Sequence, residues 1–182
     1  MNSKHEYNGV ITKKDLTKVF LRSITMEHTW NYERMMNDGY MYSMLPALRK
    51  IYPDKDEFYQ KLIMASILER EAAVESEKPI MASVFYNRIK KNMTLSADST
   101  VNFVFNYEKK RIYYKDLEVN SPYNTYRNKG LPPGPICNPT VSSVDAAYNP
   151  ADTEYLFFVT KGGGEHFFSK TYKEHLDFQK NK

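Results

Sequence analysis

Residues 54–75 read DKDEFYQKLIMASILEREAAVE, and this stretch decides the fold. Its first turn is acidic, which suits the positive end of a helix dipole. From Leu62 onward the apolar residues cover nearly the whole circumference of a helix, a pattern typical of a helix buried on all sides. The stretch therefore predicts one buried helix that runs from residue 54 to about Glu75.

Shorter helices are predicted on both sides of this stretch. Upstream, residues 1–12 are polar, and the helical spacing of apolar residues then predicts three helices, over 15–26, 31–37 and 42–51. Downstream, Ser76 is expected to cap a helix that has Pro79 in its first turn and runs from Ile80 to about Lys90. Two more helices are predicted over 142–148 and 172–179.

The C-terminal part of the chain adds a loop and a hairpin. Residues 121–140 are rich in proline, which restricts the unfolded chain, so they predict an ordered loop without regular structure. Tyr155–Thr160 and His166–Ser169 are typical of two strands joined by Gly162–Gly164. The order of elements predicts an α+β fold, in which a helical N-terminal segment precedes a helix-rich part with a small antiparallel sheet.

Composition excludes several classes of function. The chain has 182 residues and a net charge of +4, from 26 Lys+Arg and 22 Asp+Glu. This charge is too small and too evenly spread to predict nucleic-acid binding. The four His and the single Cys137 show no metal-ligand spacing, so neither a metal nor another cofactor is predicted. Without a signal-peptide core or a membrane-length apolar run, the chain as written is expected to be cytoplasmic.

Two carboxyl groups stand out inside the otherwise apolar helix, Glu69 and Glu71. Residues two apart on a helix point about 200° apart, so at most one of them faces a given cleft. The other is expected to face solvent or to pair with a base such as Arg70 or Arg88. A carboxyl in apolar surroundings has a raised pKa and holds a proton near neutral pH, as general-acid cleavage of a glycosidic bond requires. Taken without any family resemblance, the pattern favours the alternative in which both carboxylates form structural ion pairs, because buried pairs also perturb pKa values.

Other polar residues set among apolar ones give weaker signals. Asn87 and Arg88 lie near the end of a predicted helix, where Asn87 could serve as a helix-end hydrogen-bonding group. Asp98 could cap a helix. His166 follows the glycine turn, a position that suits a catalytic histidine and also a structural one.

Six blocks of sequence resemble one enzyme family. In chain order they are ASILERE (65–71), ASVFYNRI (82–89), MTLSADSTV (93–101), SPYNTY (121–126), GLPPGPI with the following Asn-Pro (130–139), and YLFFV with HFFS (155–169). Residues 61–182 thereby resemble the catalytic part of the endolytic murein transglycosylase (YceG-like, MltG) family. One departure is Ser96, where the family usually has Gln.

The resemblance implies a lytic transglycosylase that cuts peptidoglycan between N-acetylmuramic acid and N-acetylglucosamine and leaves 1,6-anhydro ends. It assigns the acid/base role to the second glutamate of the Glu-x-Glu pair, Glu71. The residues expected to line the glycan cleft are Asn87, Asp98, Tyr123, Asn124 and Thr125. Secondary candidates are Glu69, Arg88 and His166. The family acts at the outer face of the cytoplasmic membrane, so cell-wall synthesis proteins are possible partners.

Residues 1–60 resemble a different family. The blocks ITKKDL (11–16), VFLRS (19–23), WNYERM (30–35), GYMY (39–42) and LPALRKIY (45–52) are similar to the N-terminus of the IID component of mannose/fructose/sorbose-family phosphotransferase systems. Together the two resemblances predict a fusion, with a IID-like helical segment over 1–60 and a transglycosylase catalytic region over 61–182 that is truncated at its N-terminal side. Two alternatives to an active transglycosylase remain open. One is a transporter fragment that docks on sugar-transporter subunits, and the other is an inactive fusion.

Overall fold

The computed structural model describes residues 55–181 together with Lys14, Thr17 and Lys18, and these last three are helical. The predicted helices over 15–26, 31–37 and 42–51 otherwise lie outside the described residues. The chain divides into two compact units, Met1–Phe58 and Tyr59–Lys182. Almost all the described residues belong to the second unit.

The long helix predicted from residue 54 is present. Helix α1 is Lys55–Glu71, and all seven residues over 62–68 are buried, which confirms the expectation drawn from their apolar character. The helix ends four residues before the predicted end at Glu75, because the buried Lys78 ammonium reaches back to the Glu69 carboxylate at 3.4 Å. In a continuous helix, residues nine apart lie about 13 Å apart along the axis, so the chain must turn between them.

The turn is a short 3₁₀ helix, Glu75–Glu77, which leads into helix α2, Lys78–Lys90. Pro79 lies in the first turn of α2, as predicted. The predicted capping role of Ser76 is wrong, because Ser76 lies inside the 3₁₀ helix and is followed by Glu77, whose side chain makes no capping hydrogen bond.

Three shorter helices and a second 3₁₀ helix follow. They are α3 Asp98–Val104, the 3₁₀ helix Tyr114–Glu118, α4 Val141–Tyr148 and α5 Tyr172–Lys180. α4 and α5 correspond to predicted helices and each is one residue longer than predicted. α3 is an element that the sequence interpretation missed, and Asp98, expected as a cap, is its first helical residue.

The predicted hairpin is also present. Strand β1, Phe157–Gly162, pairs antiparallel with β2, Glu165–Ser169, so that Thr160 lies opposite His166. The turn has φ of +63° at Gly163 and +85° at Gly164, a left-handed conformation that favours glycine. With this two-stranded sheet beside helices, the α+β prediction is confirmed.

The loop over 121–140 is ordered against α1. The Ser66 hydroxyl accepts the Ile136 N–H at 2.9 Å and donates to the Ile63 carbonyl at 2.7 Å. The Cys137 thiol donates to the Ser66 carbonyl at 3.2 Å and is buried. The loop contains neither a helix nor a strand beyond an isolated bridge at Lys129, which confirms the predicted ordered loop.

The hairpin is packed between two helices. Phe158 of β1 meets Phe85 of α2 edge to face with ring centroids 5.7 Å apart. On the other side, Phe167 of β2 stacks on Phe178 of α5 at 4.2 Å. These contacts fix the end of the hairpin where His166 lies. Within the part of the chain that the structure describes, no helix is both long and apolar enough to cross a membrane.

Candidate active site

Glu71 lies at the edge of a cavity of about 920 Å³. It is the last residue of α1, so its side chain leaves the core where the helix ends. One carboxylate oxygen, Oε1, accepts the backbone N–H of Ser99 at 3.0 Å. This bond fixes the carboxyl against the first turn of α3, while the residue keeps some accessible surface toward the cavity.

Burial raises the pKa of Glu71, and hydrogen bonding from Ser99 only partly opposes it. The nearby Asp98 carboxylate raises this pKa further, whereas His166 lowers it. The Ser99 hydroxyl contributes to the lowering, although among the described residues it has no partner of good hydrogen-bond geometry. Because burial prevails, Glu71 holds its proton at higher pH than an ordinary glutamate does.

Glu69 has the opposite environment. Its Oε2 atom accepts the Thr140 N–H at 3.1 Å and hydroxyl protons from Thr140 and Ser143, each at 2.6 Å. Burial alone would raise the pKa of Glu69, but these hydrogen bonds and the Lys78 ammonium lower it to about 2. Glu69 therefore ties α1 to the start of α4 as a permanent carboxylate. Its basic partner is Lys78, so the expectation of Arg70 or Arg88 in that place is wrong.

Asp98 is a second acid of the cavity and is paired with a tyrosine. It is exposed at the first position of α3, and its Oδ1 accepts the Tyr126 hydroxyl at 2.5 Å. Burial raises the pKa of Tyr126, and the carboxylates of Asp98 and Glu71 raise it further. The phenol thus stays protonated, with its hydroxyl proton directed at Asp98, and its oxygen is left to accept a hydrogen bond beside Glu71.

Asn87 and Arg88 bind backbone carbonyl groups. The Asn87 amide donates to the carbonyls of Thr153 at 2.7 Å and Tyr155 at 3.1 Å. Arg88 donates to the Leu156 carbonyl at 2.6 Å and to the Leu95 carbonyl at 2.8 Å. Neither residue lines the cavity. Both side chains join α2 to the segment that precedes β1, and Arg88 also joins it to the segment that precedes α3.

The three candidates from the block over 121–126 lie behind the cavity wall. Asn124 has no exposed surface, and its amide donates to the carbonyls of Leu117 at 2.8 Å and Val119 at 2.9 Å. The Thr125 hydroxyl is buried and lies 2.8 Å from that of Thr100 in α3. Tyr123 is partly buried against Phe103, with ring centroids 4.7 Å apart. None of the three lines the cavity.

His166 is held by a carboxylate that the sequence interpretation did not single out. Glu77 accepts the His166 backbone N–H at 3.0 Å, and its second oxygen lies 2.8 Å from Nδ1 of the same residue. This double contact fixes the imidazole at the start of β2. His166 lowers the pKa of Glu71, but its ring does not line the cavity.

Of the predicted site residues, then, Glu71 and Asp98 line the cavity, and the others lie outside its lining. The described residues contain no group of three or more His, Cys, Asp or Glu side chains placed to hold a metal ion. A carboxyl with a raised pKa, a fixed phenol and a large open cavity together suit acid catalysis on a bulky substrate.

A model of the YceG-like family matches residues 6–181. The chain belongs to the YceG-like family. It is 50% identical over 122 residues to the endolytic murein transglycosylase of Bacillus subtilis (strain 168), a match that covers 67% of this chain and 34% of that protein. A crystal structure of a yceG-like protein from Listeria monocytogenes matches with a TM-score of 0.65 and 31% identity, covering 92% of this chain and 67% of the other.

A third similarity concerns the other resemblance seen in the sequence. The mannose-specific EIID component of the Escherichia coli (strain K12) PTS system is 42% identical over 53 residues, or 29% of this chain and 19% of that protein. The YceG-like chain thus spans about a third of the Bacillus protein and about a fifth of this one. Because the family model extends across residue 60, the division into segments 1–60 and 61–182 stays a prediction.

The structure of this YceG-like chain adds cavity residues that sequence reasoning missed. Ser99 and Tyr126 belong to quoted sequence blocks, yet their positions beside Glu71 depend on two contacts that each join residues 28 apart in the sequence. The run Lys109-Lys110-Arg111 also lines the cavity. The expectation of evenly spread charge is wrong at this place, and the run itself was the signal that could have revealed it.

Proposed function

We propose that this chain is the catalytic part of a lytic transglycosylase. Its substrate would be the β-1,4 bond between N-acetylmuramic acid and N-acetylglucosamine inside a peptidoglycan strand, which it would cut with formation of a 1,6-anhydro end. The single observation that carries the proposal is the raised pKa of Glu71 at the cavity, beside a Glu69 carboxylate already bound to Thr140, Ser143 and Lys78. The endolytic murein transglycosylase of Bacillus subtilis supports the substrate class.

The reaction needs one protein carboxyl. Glu71 in its acid form gives its proton to the glycosidic oxygen, and the bond from C1 to that oxygen breaks with positive charge developing at C1. The 6-hydroxyl of the same muramic residue then attacks C1 as the Glu71 carboxylate takes the hydroxyl proton. The ring closes, Glu71 is protonated again, and no water is consumed. Because the nucleophile belongs to the substrate, a second catalytic carboxylate is not required.

Neighbouring groups prepare Glu71 for both steps. The Ser99 N–H holds Oε1 in place, which leaves Oε2 for the proton transfer. Burial raises the pKa of Glu71, Asp98 raises it further, and Asp98 also accepts the Tyr126 hydroxyl proton. Because its single proton is given to Asp98, the Tyr126 oxygen is left to accept a hydrogen bond from a sugar hydroxyl near the bond that breaks.

The test is the release of anhydro-muropeptides from purified peptidoglycan, followed by liquid chromatography and mass spectrometry. Wild type should release products lighter by one water than those of hydrolysis, and Glu71→Gln should release none while keeping its circular dichroism spectrum. Glu108→Gln is the matched control, because Glu108 is exposed and outside the cavity lining. Activity in Glu71→Gln, or products carrying an added water, would contradict the mechanism.

A second candidate function rests on the 53-residue similarity to the mannose-specific EIID component. In that case the chain would dock on the membrane subunits of a sugar transporter. Co-purification of the full chain with such subunits would support this role, and a failure to bind them would exclude it. Peptidoglycan lies outside the cytoplasmic membrane, so the two candidates also differ in the place where the chain would act.

A further inference from the structure

The cavity beside Glu71 carries more positive than negative charge. Its lining includes four basic residues, Arg70, Lys109, Lys110 and Arg111, and the two acids Glu71 and Asp98. Lys109 is neutralised by Asp116, with Nζ 3.1 Å from Oδ1. Among the described residues, no carboxylate lies within ion-pair distance of Arg70, Lys110 or Arg111. The positive charges of these three cavity-lining side chains are therefore not neutralised by a described carboxylate and can attract an anionic ligand.

Residues 109–114, which we name the basic loop, are tied down at both ends. The Asn102 side chain donates to the Lys109 carbonyl at 3.0 Å and accepts the Lys109 N–H at 3.3 Å. At the other end, the Asp116 carboxylate accepts the Tyr113 N–H at 2.9 Å. The tip of the loop is thus presented by fixed supports, which reduces the entropy that binding a ligand would cost.

The tip presents charge and aromatic rings together. Lys110 and Arg111 are exposed, Tyr114 is 92% exposed and Tyr113 is 56% exposed. The Arg111 guanidinium lies 5.7 Å from the centre of the Tyr113 ring. Aromatic rings offer apolar faces to the C–H faces of sugars, and a guanidinium offers paired donors that match a carboxylate.

This inference rests on the proposed function. We propose that the basic loop is a subsite for carboxylate groups carried by the peptidoglycan strand that Glu71 cuts. Each muramic residue bears a lactyl ether whose carboxyl is either free or extended by a peptide that ends in carboxylates. The other anion of such walls, a phosphodiester on the muramic 6-oxygen, cannot sit on the residue being cut, because that oxygen must attack C1. The carboxylates are therefore the ligands that accompany every productive substrate.

Binding is measured in the full chain carrying Glu71→Gln, so that no turnover occurs, by co-sedimentation with purified insoluble peptidoglycan at low salt. Adding Lys110→Gln and Arg111→Gln should weaken affinity about 3- to 20-fold, the range expected for two exposed charge contacts. The matched control adds Lys90→Gln and Lys91→Gln, which remove the same charge from exposed positions outside the cavity lining. The control should change affinity less than about twofold.

Chemically altered polymers identify the anion. Peptidoglycan whose carboxyls are converted to methylamides should bind the unaltered loop as weakly as native polymer binds the loop variant. Peptidoglycan stripped of phosphodiesters with hydrofluoric acid should bind as native polymer does. The proposal is overturned if the methylamide polymer binds normally, if stripping abolishes the contribution of the loop, or if both double variants lose affinity equally. Because this measurement involves no turnover, it reports binding by the basic loop separately from activity, so failure of the proposed function and failure of the carboxylate subsite are distinguishable.

Discussion

Replacement of Glu69 by Gln should lower the free energy of unfolding by about 3 kcal/mol at neutral pH. The pKa of Glu69 falls from its ordinary 4.5 to about 2 in the folded chain, since Ser143, Thr140 and Lys78 prevail over the effect of burial. A carboxyl with a lower pKa in the folded state stabilises that state at every pH above its unfolded pKa. At about 1.4 kcal/mol for each pKa unit, the shift corresponds to about 3 kcal/mol. Gln keeps the shape of Glu69 but cannot ionise.

The sign of the pH dependence gives a second check on the same variant. The stabilisation is complete above pH 4.5 and is lost as the pH falls toward 2, so the wild type should approach the variant in acid. Urea unfolding and amide hydrogen exchange of the buried residues 62–68 of α1 measure the difference across this range. Glu108→Gln serves as the control for removal of an exposed carboxylate. A loss below about 1 kcal/mol at neutral pH, typical of a surface ion pair, or a difference that persists unchanged in acid, would refute the assignment.

Two further variants test the other polar residues of α1 and α2. Glu71→Gln should be at least as stable as wild type at neutral pH, and its advantage in free energy of unfolding should grow as the pH rises above 4.5. The reason is that burial raises the pKa of Glu71, so that its ionised form opposes folding. A variant clearly less stable than wild type in urea would contradict this. Asn87→Ala should lower the free energy of unfolding by about 2 kcal/mol, since it loses hydrogen bonds to the carbonyls of Thr153 and Tyr155. Under conditions in which the variant is folded, its co-sedimentation with peptidoglycan should be unchanged. A variant as stable as wild type that binds peptidoglycan weakly would contradict this structural role and indicate that Asn87 contacts the glycan.

Local patterns in the sequence were sufficient for the main elements. The apolar circumference of α1 predicted its burial, and the glycines at the hairpin turn predicted the hairpin. Helical geometry also separated Glu69 from Glu71, but it could not say which one faced a cavity. That choice depends on Thr140, Ser143 and Ser99, which come from elements 28 to 74 residues away.

The misses have two origins, contacts between residues distant in the sequence and an element too short to show a pattern. α1 ends before the predicted residue because the chain turns so that Lys78 can contact Glu69, and Lys78 also binds Glu75. Helix propensity does not encode this arrangement. α3 has seven residues, too few for a periodic pattern to stand out. Asn124 lies in a sequence block that led us to expect it in a glycan cleft. Its amide instead donates to two backbone carbonyls that only the folded loop brings near.

The two acids at the end of α1 also bear on how the sequence of such a chain would change if selection for the proposed reaction were lost. Glu71 opposes folding and Glu69 supports it, so loss of selection would remove the reason to keep Glu71 while the penalty for losing Glu69 would stay. Inactive descendants should therefore retain the first acid of the pair and replace the second with a neutral residue. The residues at positions 69 and 71, within a single turn of helix, would then indicate whether a related protein still performs the proposed reaction.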